Sequence, residues 1–239
     1  MADLGFDGMA DPRPGWFGKM PALGDFASRR MDPEFSGVWD EWLQHAIVSS
    51  RTSLGQEWMR AYVSAPVWRF AIFPGVLGQG DSWAGALMSS VDQVGRYFPL
   101  TAVLKAPFPR ALLAEIQTSS NWFDRLSGAM TAVLRPGGSL DQFEDSLQDC
   151  LFNISEAATH APGPDLYKAL ALAHRHQTIE ATVHGPLGPA MAALAFDEMC
   201  DRMHGTSLWW AQLANGRTAV RCFLGLPRPD QYTGMLTVA

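Results

Sequence analysis

Residues 85–100 read Gly-Ala-Leu-Met-Ser-Ser-Val-Asp-Gln-Val-Gly-Arg-Tyr-Phe-Pro-Leu. Their reading decides the fold. Trp83–Val91 is small and apolar, which predicts a strand buried on both faces, with Leu87, Met88 and Val91 inside. The pattern breaks at Asp92–Gly95, sets Arg96 beside Tyr97 and Phe98, and stops at Pro99. Leu100–Lys105 then predicts a second strand. An Asp and an Arg in so apolar a segment need partners, because an unpaired buried charge costs roughly several kcal/mol. They bind each other, a backbone amide, or another molecule.

Upstream, Pro66 blocks a helix and Val67–Phe73 reads as a strand. Period two puts Trp68, Phe70 and Ile72 on one face and Val67, Arg69, Ala71 and Phe73 on the other. Arg69 therefore lies among apolar neighbours and requires a carboxylate, Asp25 or Asp92 being the candidates. Residues 67–105 form a three-stranded meander. Trp16–Lys19 predicts a short strand and Pro21–Gly24 a turn. Asp32 with Pro33 starts a helix, in which Phe35, Val38, Trp39, Trp42, Leu43 and Ile47 make the buried stripe. Gly55 interrupts it, and Gln56–Val63 is a second short helix.

Downstream the chain turns helical at Arg110–Gln117 and again after Ser119-Ser120-Asn121. Ser139-Leu140-Asp141-Gln142 has the capping-box form. The helix it opens buries Leu140, Phe143, Leu147, Cys150, Leu151 and Ile154 and presents Asp141, Glu144, Asp145 and Asp149 to water. A loop at 162–164, a helix Asp165–His176, a strand Ile179–Val183 and a helix Pro189–Met203 follow. Ser207–Leu213 and Thr218–Phe223 make a hairpin turned at Asn215-Gly216, and Asp230–Leu236 a last helix. Residues 1–14, rich in Gly, Asp and Pro, read as a flexible tail, and 15–239 as one domain. The expected fold is α/β, with a mixed, largely antiparallel sheet and helices on both faces.

The chain has 239 residues, 47% hydrophobic and 18% charged, the composition of a folded globular protein. Nine tryptophans are many for this length, and most belong in the core. The net charge is −6, with no basic run, which argues against nucleic acid and an anionic membrane surface. No apolar run reaches the ~18 residues of a membrane span. Cys150, Cys200 and Cys222 are odd in number and far apart, which suits reduced thiols in the cytoplasm. The acidic start lacks the basic and apolar regions of a signal peptide.

No catalytic constellation emerges. His174 and His176 lie about 200° apart around a helix and cannot share a metal, and the other histidines are isolated. Ser89, Ser90 and Asp92 have no nearby His and no Gly-x-Ser-x-Gly elbow. The glycines at 75, 78 and 80 lack the Lys-Ser/Thr of a P-loop and precede a strand. No metal or cofactor is expected. The charges threaded through aromatic motifs remain: Lys19, Asp25, Arg69, Asp92 and Arg96. They serve either as an internal ion-pair network or as a charged rim around an aromatic patch for a protein partner. Trp16 and Trp68 are the aromatic members of that set, and Trp16, Lys19, Asp25 and Arg96 supply the anchor and charges such an interface needs.

These same segments resemble a known family. Gly85–Leu100, with Gly-Trp-Phe-Gly-Lys-Met-Pro-Ala-Leu-Gly-Asp-Phe at 15–26 and Pro-Val-Trp-Arg-Phe at 66–70, is similar to the TagF (ImpM) family of type VI secretion accessory proteins. The likeness extends to Ser207-Leu208-Trp209-Trp210 and Gly225-Leu226-Pro227. The family usually reads Met-Pro-Ser-Val-Asp at the centre, where this chain has Ser89. The resemblance implies a layered α/β/α sandwich. It also implies a cytoplasmic, non-enzymatic, post-translational negative regulator of secretion-system assembly. Such a protein engages the system's forkhead-associated scaffold protein, in parallel with its Thr kinase–phosphatase switch. A structural subunit or assembly chaperone of the same machine is the first alternative, and a small-molecule-binding or hydrolytic enzyme the second. Oligomeric state is left open.

Overall fold

In the computed structural model, which describes residues 13–78, 80–106, 109–117, 122–152 and 187–238, the segment around Gly85 is the middle strand of a seven-stranded sheet. The strands are β1 (Gly15–Gly18), β2 (Ala27–Arg29), β3 (Trp68–Ile72), β4 (Ser82–Met88), β5 (Leu100–Ala106), β6 (Thr206–Gln212) and β7 (Thr218–Leu224). Their order is β2-β1-β5-β4-β3-β6-β7, and every pairing is antiparallel. The expected meander is therefore present, and the described sheet contains none of the parallel pairs that a mixed sheet would have.

β4 is central because all seven of its residues can be enclosed. Gly85 pairs with Phe70 on one side and Val103 on the other. A Cβ at this position would strike the Phe70 ring and lie 2.6 Å from the Ala102 carbonyl oxygen. The missing side chain lets Phe70 lie across the strand.

Helices cover both faces. On one, α1 (Pro33–Leu54), α2 (Trp58–Ser64) and α7 (Pro229–Leu236) pack on Trp68, Phe70, Ile72, Trp83, Leu87, Val103 and Trp209. On the other, α3 (Pro109–Gln117), α4 (Trp122–Val133) and α5 (Leu140–Gln148) pack on Ala71, Phe73, Ala84, Ala86, Met88 and Ala102. Small residues on this second face admit larger helix side chains such as Phe123 and Phe143. α6 (Leu187–Met203) leads into β6. The result is an α/β/α sandwich.

Asp32 caps α1 by accepting from the backbone N–H groups of Glu34 (2.8 Å) and Phe35 (3.3 Å), with Pro33 following. Trp39 from this helix stacks against Phe35, Phe70 and Trp209, and its Nε1–H donates to Thr101 Oγ1 at 2.8 Å. Val38, expected in the buried stripe, is exposed, and Ala46 is enclosed instead. All nine tryptophans are at most 9% exposed. Most satisfy their indole N–H on the fold: Trp42 on the Pro227 carbonyl, Trp68 on Met235, Trp122 on Cys150.

Several boundaries differ from the sequence reading. β4 ends at Met88 rather than Val91, which keeps only an isolated bridge to Tyr97. Position 89, proline in the family pattern, thus lies outside the ladder, where a missing N–H costs no strand bond. The β6–β7 hairpin turns through three residues: Gly216 N–H bonds the Leu213 carbonyl and Gly216 takes φ +79. Pro14, assigned to the tail, is buried and accepts from Arg30 Nε at 3.1 Å. The remaining tail residues 1–12, the cap at 119–121, the loop at 162–164, the helix at 165–176 and the strand at 179–183 lie outside the described residues.

Candidate functional site

Four of the five singled-out charges meet at one corner of the sheet, where β1, its following turn and the β4–β5 connection come together. Gly18, at φ +138, brings β1 so close to the Pro99 carbonyl that no side chain fits. Gln93 N–H donates to the Leu23 carbonyl at 3.0 Å and Ser90 Oγ to the Lys19 carbonyl at 2.6 Å. Tyr62 from α2 clamps the strand end, its hydroxyl donating to the Ser90 carbonyl and accepting from the Ser90 N–H, both at 3.1 Å. Burial pushes the Tyr62 phenol well up, so it stays a neutral donor.

Asp92 is the hub. Its side chain is enclosed, with Lys19 Nζ at 2.9 Å and Arg96 Nε at 2.7 Å from Oδ2. Oδ1 accepts from the backbone N–H of Val94 (3.1 Å) and Arg96 (2.8 Å), which fixes the turn. Burial alone would raise this carboxyl's pKa. The Arg96 N–H, the Lys19 ammonium and the Arg96 guanidinium outweigh it and hold the group well below the usual carboxylate range. Asp92 is therefore a fixed anion, a poor general base for chemistry at neutral pH.

From this buried hub the corner opens outward. Arg96 is 53% exposed, donates from Nη2 to the Gly24 carbonyl at 2.6 Å, and lies 3.6 Å from Asp25, which is 78% exposed. Phe26, 47% exposed, packs edge-on against Phe98 at 4.6 Å and stacks on Phe17 at 6.0 Å, with Lys19 Nζ 4.8 Å from its ring centre. The exposed side chains of the corner thus include Asp25, Phe26, Gln93, Val94 and Arg96. Phe26, Gln93 and Val94 are not among the residues the sequence singles out; an aromatic directly after a Gly-Asp turn is the signal that points to Phe26.

The other candidates lie elsewhere. Trp16 is enclosed, and its Nε1–H donates to Glu144 Oε1 at 2.6 Å, tying β1 to α5. Trp68 lies under α7. Arg69 is mostly buried and paired, as its strand position requires, but with neither Asp25 nor Asp92. Its carboxylate is Asp124 on α4, 2.6 Å away, with Ser127 Oγ accepting from Nε at 3.1 Å. The reason is the pleat: Arg69 points to the α4 face, whereas the Asp92 corner lies beyond the end of β4. Glu144, expected on the solvent face of α5, also turns inward. It receives Arg30 Nη1 at 2.8 Å and Arg29 Nη1 at 3.5 Å besides Trp16. Burial raises its pKa, but the Arg30 and Trp16 bonds prevail and the net direction is down. Asp141, Asp145 and Asp149 do stay exposed.

No group of three or more His, Cys, Asp or Glu side chains stands in metal-ligating array among the described residues. Nor does any helix there have the length and apolarity to cross a membrane.

Comparison with known proteins places these features in context. Residues 15–150 match the TagF N-terminal domain family, type VI secretion system-associated. Among solved structures, PA0076 from Pseudomonas aeruginosa PAO1 superposes with a TM-score of 0.72 at 28% identity, over 94% of each chain. No curated protein sequence matches the chain.

Proposed function

The chain belongs to the TagF family of type VI secretion system-associated proteins, and from that premise we propose that it restrains assembly of the secretion machine by binding the machine's forkhead-associated scaffold protein. Its accessory role in that system follows from the family; the repression, the scaffold partner and the cytoplasmic site of action are our reading. The observation that carries it is the corner that the family-like segments 15–26 and 85–100 build together. Its buried members, Lys19 and Asp92, lock a rigid turn, and its outer members present Asp25, Phe26 and Arg96 together. A half-exposed aromatic flanked by charges of both signs on a preorganised turn is what a protein interface uses. Binding of this kind needs no cofactor, and the corner holds no nucleophile–base pair.

Repression by occupancy follows mass action. Excess of the protein saturates the scaffold and silences secretion, whereas deletion permits firing. In a bacterium carrying the system, effector release measured against graded expression of the chain tests this directly. Release that is indifferent to both deletion and excess overturns it. Co-sedimentation with assembled sheath or baseplate, rather than with soluble scaffold, would assign the chain to the structure of the machine instead.

A further inference from the structure

The two edges of the sheet are built differently. β2 is three residues long, carries Arg29 and is followed by Arg30, which is the usual protection of an edge against pairing. β7 has seven residues, Thr-Ala-Val-Arg-Cys-Phe-Leu, with no proline. Among the described residues no strand lies on its outer side.

The ladder shows which backbone groups are open. In an antiparallel pair only alternate residues bond a given neighbour. Leu213 N–H bonds the Arg217 carbonyl and Gly225 N–H the Gly205 carbonyl, so the odd-numbered residues of β7 face β6. Thr218, Val220, Cys222 and Leu224 therefore turn N–H and C=O outward. Their side chains share one face, opposite Gln212, Trp210, Leu208 and Thr206 of β6. All four are exposed, Val220 at 62% and Leu224 at 87%. This outward row carries no charge. Arg221 points to the other face, lies over the Trp68 ring and donates to the Gly234 carbonyl at 2.9 Å.

We propose that β7 pairs with β7 of a second copy of this chain, antiparallel about a two-fold axis at Cys222, joining two sheets into one. A two-fold axis requires a self-complementary strand, and this one is. With the axis at Cys222, that residue faces the partner's Cys222 and Val220 faces the partner's Leu224. Each of these pairs exchanges its outward N–H and C=O, giving about six intermolecular backbone hydrogen bonds. The apolar side chains close over one another on the open face. Shifting the axis to Arg221 would oppose two arginines, which disfavours that register. An outward row without charge is what lets two identical strands meet, and it distinguishes β7 from β2.

Sedimentation velocity of the full chain over a dilution series, with Leu224→Lys and Cys222→Ser, tests this. Leu224 is so exposed that lysine there leaves the fold intact, which an unchanged circular dichroism melt verifies. The wild type sediments as a dimer, and Leu224→Lys weakens dimerisation about tenfold or more because the dimer carries the change twice. Mild oxidation gives a covalent dimer that Cys222→Ser abolishes while the non-covalent dimer persists, since facing cysteines of this geometry are within disulfide reach. A wild type monomeric throughout the series overturns the proposal, as does a dimer indifferent to Leu224→Lys. A covalent dimer that survives Cys222→Ser overturns the register.

Discussion

Replacing Glu144 with alanine tests how the N-terminal motif is held. The carboxylate takes a 2.6 Å bond from Trp16 Nε1–H and a 2.8 Å ion pair from Arg30, with Arg29 at 3.5 Å. Its removal leaves a fully enclosed indole N–H without an acceptor, which costs about 1–3 kcal/mol. It also strands Arg30, of which one terminal nitrogen already lacks a partner. Breaking a buried pair costs about 3–5 kcal/mol, but Arg30 keeps the Pro14 carbonyl and Arg29 is half exposed, so the total expected is ~2–4 kcal/mol. A loss near 3 kcal/mol lowers the melting temperature by about 6–12 °C in a chain of this size. Urea titration measures the free energy, and Glu144→Gln separates the causes. Glutamine still accepts from Trp16 but has no charge for Arg30, so it falls between wild type and alanine. Its acid sensitivity changes too. The folded pKa of Glu144 lies below its unfolded value, so its contribution is present above the unfolded pKa of about 4.3 and fades as pH falls through the folded one. The glutamine variant loses that dependence. A Glu144→Ala loss under about 0.5 kcal/mol, the range of an ordinary surface change, would refute the reasoning.

Gly85→Ala drives a methyl into the Phe70 ring and the Ala102 carbonyl, and calorimetry is expected to show a loss of about 1–3 kcal/mol or more. Arg69→Ala and Asp124→Ala, combined in a double-mutant cycle under urea, should couple by about 0.5–3 kcal/mol, whereas Arg69→Ala with Asp25→Ala should be additive. Asp92→Asn removes an anion whose folded pKa is depressed, so the variant loses stability at neutral pH and its acid limb below pH ~4 becomes shallower, as fluorescence-monitored acid titration will report.

Much of the layered fold was legible because apolar periodicity and punctuation agreed along the chain. Asp32-Pro33 and Gly55 bracket α1, Pro66 precedes β3, and Asn215-Gly216 marks the last hairpin. β2 was not legible: Ala27–Arg29 is short, polar and exposed, and only its pairing with β1 makes it a strand. Single-residue orientation was harder still. Glu144 sits beside Asp141 and Asp145 on a helix whose other charges face water, and it turns inward because Trp16 and Arg30, more than a hundred residues away in sequence, need an acceptor. The charge at Arg69 was rightly assigned a carboxylate, but which one depends on α4 lying across β3, a tertiary fact with no local signal. At the candidate corner, spacing named Lys19, Asp25, Asp92 and Arg96. It could not say that the first and third are enclosed while the other two open outward with Phe26.

The most direct test of the account is the affinity of the purified chain for its cognate forkhead-associated scaffold protein, measured by calorimetry for wild type, Asp25→Lys and Phe26→Ser. Lys19 and Arg96 are unsuitable probes because both brace Asp92, and their loss would disturb the fold itself. Asp25 and Phe26 are largely outside that brace. The account predicts a saturable complex with wild type, weakened about tenfold or more by each substitution, a change of ~1.4 kcal/mol or greater. The melting temperature stays unchanged for Asp25→Lys and falls by only a few degrees for Phe26→Ser, which gives up about 1–2 kcal/mol of packing on Phe17 and Phe98. Absence of a complex with the wild-type chain, or a complex that both variants form equally well, would contradict it.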